Sequence, residues 1–358
     1  IGDYAFSHQS QVKSGGLKKV TFEKSSASVT IGSRAFAQNG LLTLFDASQR
    51  PISMESMTLV NSSGTGLVVK INQASKIGPG VFMNNGSVTA IFLDSDALEL
   101  NTWAFLSSND GKTAFNSLCK GAVIYVDDET TKELLKDSSG NLKFTNSTTG
   151  AKVSNFIIAV TNGGTFGDNT TFAANKLPTP VKAGYTFGGW YTDAACTKGA
   201  LTEGTDGTYK ANGSETGTVY YAKWMLADNN VEITYKPNIP GGNDKNVVRA
   251  AIKDSTIDVA GELFSRTGYT FTGWNTKTDG TENAYKTGDT IKASNMTLYA
   301  QWTLDKPTIS GTATAVYGDT VTLTANTAAS GASYQWYKDG LKGATSDILT
   351  LTDVADSG

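Results

Sequence analysis

The stretch GYTFGGW at residues 184–190 returns as GYTFTGW at 268–274, with Gly184 reappearing 84 positions on as Gly268. A second signature, YYAKW ending at Trp224, returns as LYAQW ending at Trp302, 78 positions on. Two signatures in the same order at nearly one spacing make the middle of the chain a tandem repeat. Its unit has the size of a small domain rather than of a solenoid coil, so each copy is expected to own a core. The whole chain has 358 residues, more than one core normally organises, and two to four domains are expected. Only 18% of residues are charged and 38 are glycine, a balance that suits β structure with many turns.

Within the first unit, NFIIAV at 155–160 reads as an apolar strand that breaks at Asn162, Gly163 and Gly164, and a hairpin is expected there. Pro178 and Pro180 enforce extended chain. Tyr185 and Phe187 then share one strand face, and Trp190 is out of phase with them. Gly188 and Gly189 are therefore read as a bulge that turns Trp190 inward. Tyr220, Ala222 and Trp224 share a face of the closing strand.

The second unit repeats this grammar. VEITYKP from Val231 turns at Gly241 and Gly242 and returns as VVRAAI from Val247. Tyr269, Phe271 and Trp274 follow, and Leu298, Ala300 and Trp302 close the unit. Residues 258–264, DVAGELF, read as one helical turn. A platform of exposed aromatics could stack on sugars, but domains this small bury few other large groups. The aromatics are therefore read as core.

The two signatures, with TDG at 278–280, AYKTGDTI from Ala284 and MTLYAQW from Met296, resemble the Listeria–Bacteroides (internalin B-type) repeat of bacterial surface proteins. That resemblance implies a β-grasp-like unit of about four strands and a helical turn. The first copy departs from the pattern between Thr202 and Gly217, where a longer glycine-rich loop intervenes.

Ahead of the repeats, IGDYAF at Ile1 returns as IGSRAF at Ile31, IGPGVF at Ile77 and, more loosely, LNTWAF at Leu100. Four coils are read from this, with Phe6, Phe36, Phe82 and Phe105 stacked in register and Ala5, Ala35 and Ala104 kept small. Gly2, Gly32 and Gly78 supply the tight backbone; Val81 and Asn101 break the pattern. A short apolar strand follows each motif, and loop insertions fall on one edge. DDETTKELLK at 127–136 reads as a capping helix, acidic at its start and basic at its end. This stretch resembles the BspA-type leucine-rich repeats of bacterial surface proteins. If it binds anything, the exposed strand-face residues Lys18, Lys19, Glu23 and Asp46 are the candidates.

After the repeats, PTISG, YGDTVTLTA, SYQWYKDG and DILTLTDVADSG give four alternating runs that resemble an immunoglobulin-like domain. Trp336 is its inward tryptophan, Leu323 is a neighbour on the second strand, and Ala325 stands where antibody-type domains carry cysteine. The expected architecture is multidomain and mainly β. A leucine-rich-repeat solenoid with a C-terminal helical cap spans 1–149, two β-grasp-like repeat domains span 151–226 and 229–304, and an incomplete Ig-like sandwich spans 306–358. The chain opens in mid-motif and stops in mid-domain, as a segment of something longer would.

Catalytic chemistry is hard to assemble. His8 is the only histidine, so no HExxH zinc site is possible, and a Ser–His–Asp site would need a residue of the first loop. No phosphate-binding glycine loop occurs. Cys119 and Cys196 fall in different expected domains, so no disulfide is expected between them, and Cys196 reads as a free thiol in a polar loop. The pairs Asp94/Asp96 and Asp127/Asp128 are read as solvated turns and caps, and Asp279 with Glu282 offers a weak calcium loop as the alternative.

The formal charge of −3 leaves no footprint for nucleic acid, and no apolar run reaches the ~18 residues of a membrane span. The expectation is a monomeric, non-enzymatic protein without cofactor or metal. It would sit at the bacterial surface or be secreted, and serve adhesion or host interaction. Extracellular or host proteins or glycans are its expected partners, and its ligand-binding residues are left open. The alternative is accessory modules, glycan-binding or spacer, of a larger secreted enzyme.

Overall fold

A computed structural model describes residues 1–8, 16–60, 62, 66–71, 74–82, 88–93, 99–100, 120–133, 135–136, 156–168, 170–212, 217–242, 245–311, 315–316, 318–329, 333–338, 341–343 and 345–351. The fourth-coil residues Asn101, Ala104 and Phe105, the pair Asp94/Asp96, Cys119 and the stretch 353–358 lie outside the described residues. The chain divides into two compact units, 1–225 and 226–358.

In the first unit, short apolar strands alternate between two parallel sheets. One sheet begins with β1 (Lys19–Thr21), β3 (Leu44–Asp46), β5 (Leu67–Lys70), β7 (Val88–Leu93) and β9 (Ala122–Val126). The other holds β2 (Val29–Ile31), β4 (Ile52–Met54), β6 (Ala74–Ile77) and β8 (Glu99–Leu100). Ile31 pairs with Met54, Met54 with Ile77 and Ile77 with Leu100, a constant step of 23 residues. A further coil therefore stands at Met54, between the second and third sequence copies. There Met54 replaces the leading Ile, Thr58 the small Ala and Leu59 the Phe.

The rungs are bonded in register: Phe6 N donates to Ala35 O at 2.7 Å, Phe36 N to Thr58 O at 3.0 Å and Leu59 N to Val81 O at 3.1 Å. Phe6 and Phe36 stack with ring centroids 5.2 Å apart, and Leu59 interrupts the aromatic series before Phe82. The motif glycines do not supply a turn conformation as expected. The left-handed residues are Tyr4, Arg34, Met57 and Gly80. Gly32 and Gly78 serve close approach instead, since a Cβ would meet Asp3 N at 2.7 Å in one case and Met54 O at 2.9 Å in the other.

The first sheet continues past β9. β10 (Phe156–Val160) lies parallel between β9 and β14 (Thr218–Leu226), and β12 (Tyr185–Tyr191) completes the eight strands. The hairpin expected at 162–164 is therefore absent. Asn162 and Gly163 do take positive φ, but both edges of β10 are already paired. The chain leaves the sheet instead, with Thr165 bridging Val181, and a separate pair, β11 (Lys176–Pro178) with β13 (Thr208–Lys210), forms downstream.

The expected helix exists as α1 (Glu129–Glu133), begun by the Asp128 carboxylate accepting from Thr131 N at 2.9 Å. It packs on β9 and β10 and does not end the sheet. The core is shared in the same way. One cluster joins Ile91 and Ile124 to Phe156, Cys196 and Tyr221; the other joins Phe92 and Tyr125 to Trp190 and Tyr220. The first repeat thus shares its core with the coils. Cys196, 7% exposed, is a buried free thiol rather than a loop bystander.

The second unit carries its own core around Trp274, Tyr235 and Leu298. Its five-stranded sheet runs β16 (Val247–Ile252), β15 (Asn230–Lys236), β21 (Met296–Leu304), β18 (Tyr269–Asn275) and β19 (Ala284–Tyr285), beside a pair formed by β17 (Thr256–Asp258) and β20 (Thr290–Lys292). Here the hairpin forms, with β15 and β16 antiparallel. Register shifts between Phe271 and Gly273, a bulge at the position that corresponds to Gly189 of the first repeat, and a Cβ on Gly273 would lie 2.6 Å from Tyr285 O.

The helical turn expected at 258–264 is absent. Val259 N donates to Asp289 O, Gly288 N to Val259 O, and the Trp274 indole to Ala260 O at 2.8 Å. Those backbone groups are committed to tertiary partners that a helix would deny them. Beyond the repeat, β22 (Thr308–Gly311), β23 (Val321–Asn326) and β26 (Ile348–Leu351) form an antiparallel sheet, and β24 (Tyr337–Lys338) pairs with β25 (Leu341–Lys342). Trp336 is half-buried there, with its indole N–H on Ser346 O at 2.8 Å.

Candidate functional site

Parallel strands in register bring residues at the same height into a row. Across the first sheet, Asp46 pairs with Lys70, Lys70 with Phe92 and Phe92 with Tyr125. These positions close or nearly close their strands, so the row lies at the carboxyl ends. The loop that leaves β10 passes over it and supplies Phe166, Asp168 and Phe172. Between row and loop is a cavity of about 420 Å3, within the ~300–1,000 Å3 typical of small-ligand sites.

Its inner wall is aromatic. Phe92 and Tyr125 stack at 4.7 Å, and Phe166 and Phe172 meet Tyr125 edge-on at 5.0 and 5.6 Å. Tyr125 is 2% exposed, and its hydroxyl has no hydrogen-bond partner among the described residues. Burial pushes the pKa of that phenol upward. An unmet buried hydroxyl costs about 1–3 kcal/mol.

The rim is acidic. Asp46 accepts from Ser48 N at 3.0 Å and faces Lys70 at 3.5 Å. Asp127, following β9, accepts from Gly163 N at 2.8 Å. Burial raises its pKa, and the neighbouring Asp128 adds to the rise; the Gly163 hydrogen bond and the nearby Lys182 oppose it. Asp168 is exposed. Three carboxylates thus line the cavity against one ammonium among the described lining residues, and that ammonium is paired with Asp46.

Of the strand-face candidates, only Asp46 reaches this site; Lys18, Lys19 and Glu23 are exposed elsewhere on the sheet. Asp127, expected in a solvated turn or cap, is half-buried in the cavity wall. The one sequence signal for Phe166, Asp168 and Phe172 is TFGDNTTF at 165–172, which places two phenylalanines around an aspartate. Asp279 accepts from Thr281 N and Oγ1 within its own turn, and no cluster of metal-ligating side chains occurs among the described residues. A second hollow, of about 390 Å3, lies in the first repeat beside Lys182, Tyr185 and Trp224. Lys182 itself covers the Tyr185 ring at 4.7 Å.

The two repeat units place their tryptophans alike. Trp190 and Trp274 sit on β12 and β18, with indoles on Pro178 O and Ala260 O; Trp224 and Trp302 sit on β14 and β21, with indoles on Thr161 O and Pro237 O. In each unit the last strand runs parallel to the first. Residues 159–223 and 232–301 both match the Listeria–Bacteroides repeat domain.

Among curated proteins, the chain is 35% identical over 126 residues to a protein of Evansella cellulosilytica with the provisional name membrane protein, covering 34% of this chain and 18% of that one. It is 30% identical over 141 residues to a glycine-rich protein of the same organism, also provisionally named a membrane protein (36% and 15%). It is 32% identical over 141 residues to internalin H of Listeria monocytogenes (38% and 23%). The chain spans less than a quarter of the length of these relatives. No helix among the described residues is long and apolar enough to cross a membrane.

Proposed function

We propose that this chain belongs to a non-enzymatic bacterial protein, exposed on the cell surface or secreted, that works in adhesion or host interaction. The observation that supports this most is the pair of Listeria–Bacteroides repeats, together with the likeness to internalin H. In this reading residues 1–149 form a BspA-type leucine-rich solenoid and residues 306–358 an Ig-like module. The second repeat acts as a stalk or interaction domain. The first repeat, joined to the coils, completes a binding face with the cavity at its centre, and the partners are extracellular or host proteins.

Beads coated with the chain test this. They are expected to attach saturably to cultured host cells or to immobilised extracellular proteins, and soluble chain should compete. Attachment no better than that of albumin-coated beads would contradict the adhesive reading. Release of sugar from purified glycans by the chain would contradict the non-enzymatic one.

A further inference from the structure

The cavity at the carboxyl ends of the first sheet has a chemistry that selects its guest. Its rim carries Asp46, Asp127 and Asp168 against Lys70 alone among the described lining residues, and Lys70 is tied to Asp46. Two carboxylates therefore face the space without a lining cation. Phe166 and Phe172 line the cavity and are half-buried. Carboxylates beside aromatic faces attract a desolvated cation from two sides, through charge and through the ring quadrupole.

We propose that this cavity binds the cationic side chain of a protein partner, an arginine or lysine lying against Phe166 and Phe172 with its charge toward Asp127 and Asp168. The proposal rests on the ligand-binding reading above and names its chemistry. Arginine fits best. Its planar guanidinium stacks on rings and carries five donors, enough for two carboxylates. A neutral sugar could meet the rings and the acceptors, but it would bring no positive charge to Asp127 and Asp168.

The test is ligand-detected NMR titration of the whole chain with N-acetyl-arginine methylamide. The citrulline analogue, which keeps the shape without the charge, and methyl glycosides serve as comparison probes. Saturable binding of the arginine probe is expected, with the citrulline probe on the order of tenfold weaker. Asp127→Asn should weaken the arginine probe several-fold. Asp168→Asn should do the same, and its exposed position makes misfolding no explanation. Phe172→Ala should weaken both the arginine and citrulline probes.

Equal binding of the citrulline probe, preferential binding of a glycoside, or no saturable arginine binding would each overturn the assignment. Bead attachment separates the two levels. Attachment that persists in a chain that binds no arginine probe sinks the cation site alone. Arginine binding without attachment sinks the adhesive reading alone.

Discussion

Asp127 shows how burial can reverse the usual meaning of a turn carboxylate. Its folded pKa is raised, first by burial, so the folded chain holds that proton more tightly than the unfolded one. Stability from this group is complete below the unfolded value of ~3.9 and is lost as pH rises through the folded value. Asn at 127 keeps an acceptor oxygen for Gly163 N and carries no charge. Asp127→Asn is therefore expected to raise the denaturant midpoint at neutral pH, with the gain shrinking to nothing below pH ~3.9. A lower midpoint at pH 7 would show that the charge is already compensated. The sequence hid this role because DD before a helical pattern is the ordinary signature of a cap. Only Asp128 behaves that way, through Thr131 N, while Asp127 turns toward the cavity.

At the scale of elements, the sequence was legible where the signal is local. The Trp phases, the glycine bulge at Gly273, the β15–β16 hairpin and α1 all follow from neighbouring residues. Two features were not. MESMTL carries no Ile, Gly, Ala or Phe of its motif, so the coil at Met54 shows only through the 23-residue register. The missing hairpin in the first repeat depends on a partner elsewhere in the chain. The first strand of each repeat needs a neighbour opposite its parallel partner. In the second copy β16 fills that place antiparallel; in the first, β9 of the coils fills it in parallel. Trp274, almost wholly buried and bonded to Ala260 O, anchors the copy that stands on its own core. Trp274→Ala should lower the stability of residues 226–304 by about 3–5 kcal/mol, read from denaturant unfolding. A loss under 1 kcal/mol would contradict its anchoring role.

At the scale of the molecule, the first unit matters most for function, because coils and repeat there share a sheet, two clusters and a cavity. Domain boundaries read from sequence at 149 and 151 separate two repeat grammars; the hydrogen bonds of β9 to β10 run across that line. Lys132 adds a second tie. Burial works against its charge, but its hydrogen bonds with Glu129 and with Tyr221 of β14, the latter at 3.1 Å, hold its pKa above the usual range. Without the loop of the first repeat the row from Asp46 to Tyr125 would be an open sheet face rather than a cavity wall. The measurement that tests this most directly is amide hydrogen exchange of the whole chain, compared between wild type and Trp190→Ala. Trp190 belongs to the repeat, yet it packs in the cluster that holds Phe92 and Tyr125. If the first unit is one cooperative body, exchange should rise together in β7, β9, β10 and β12. If exchange rises only within residues 156–225 while β7 and β9 keep their protection, the repeat is an appended domain and the shared cavity is not a built feature.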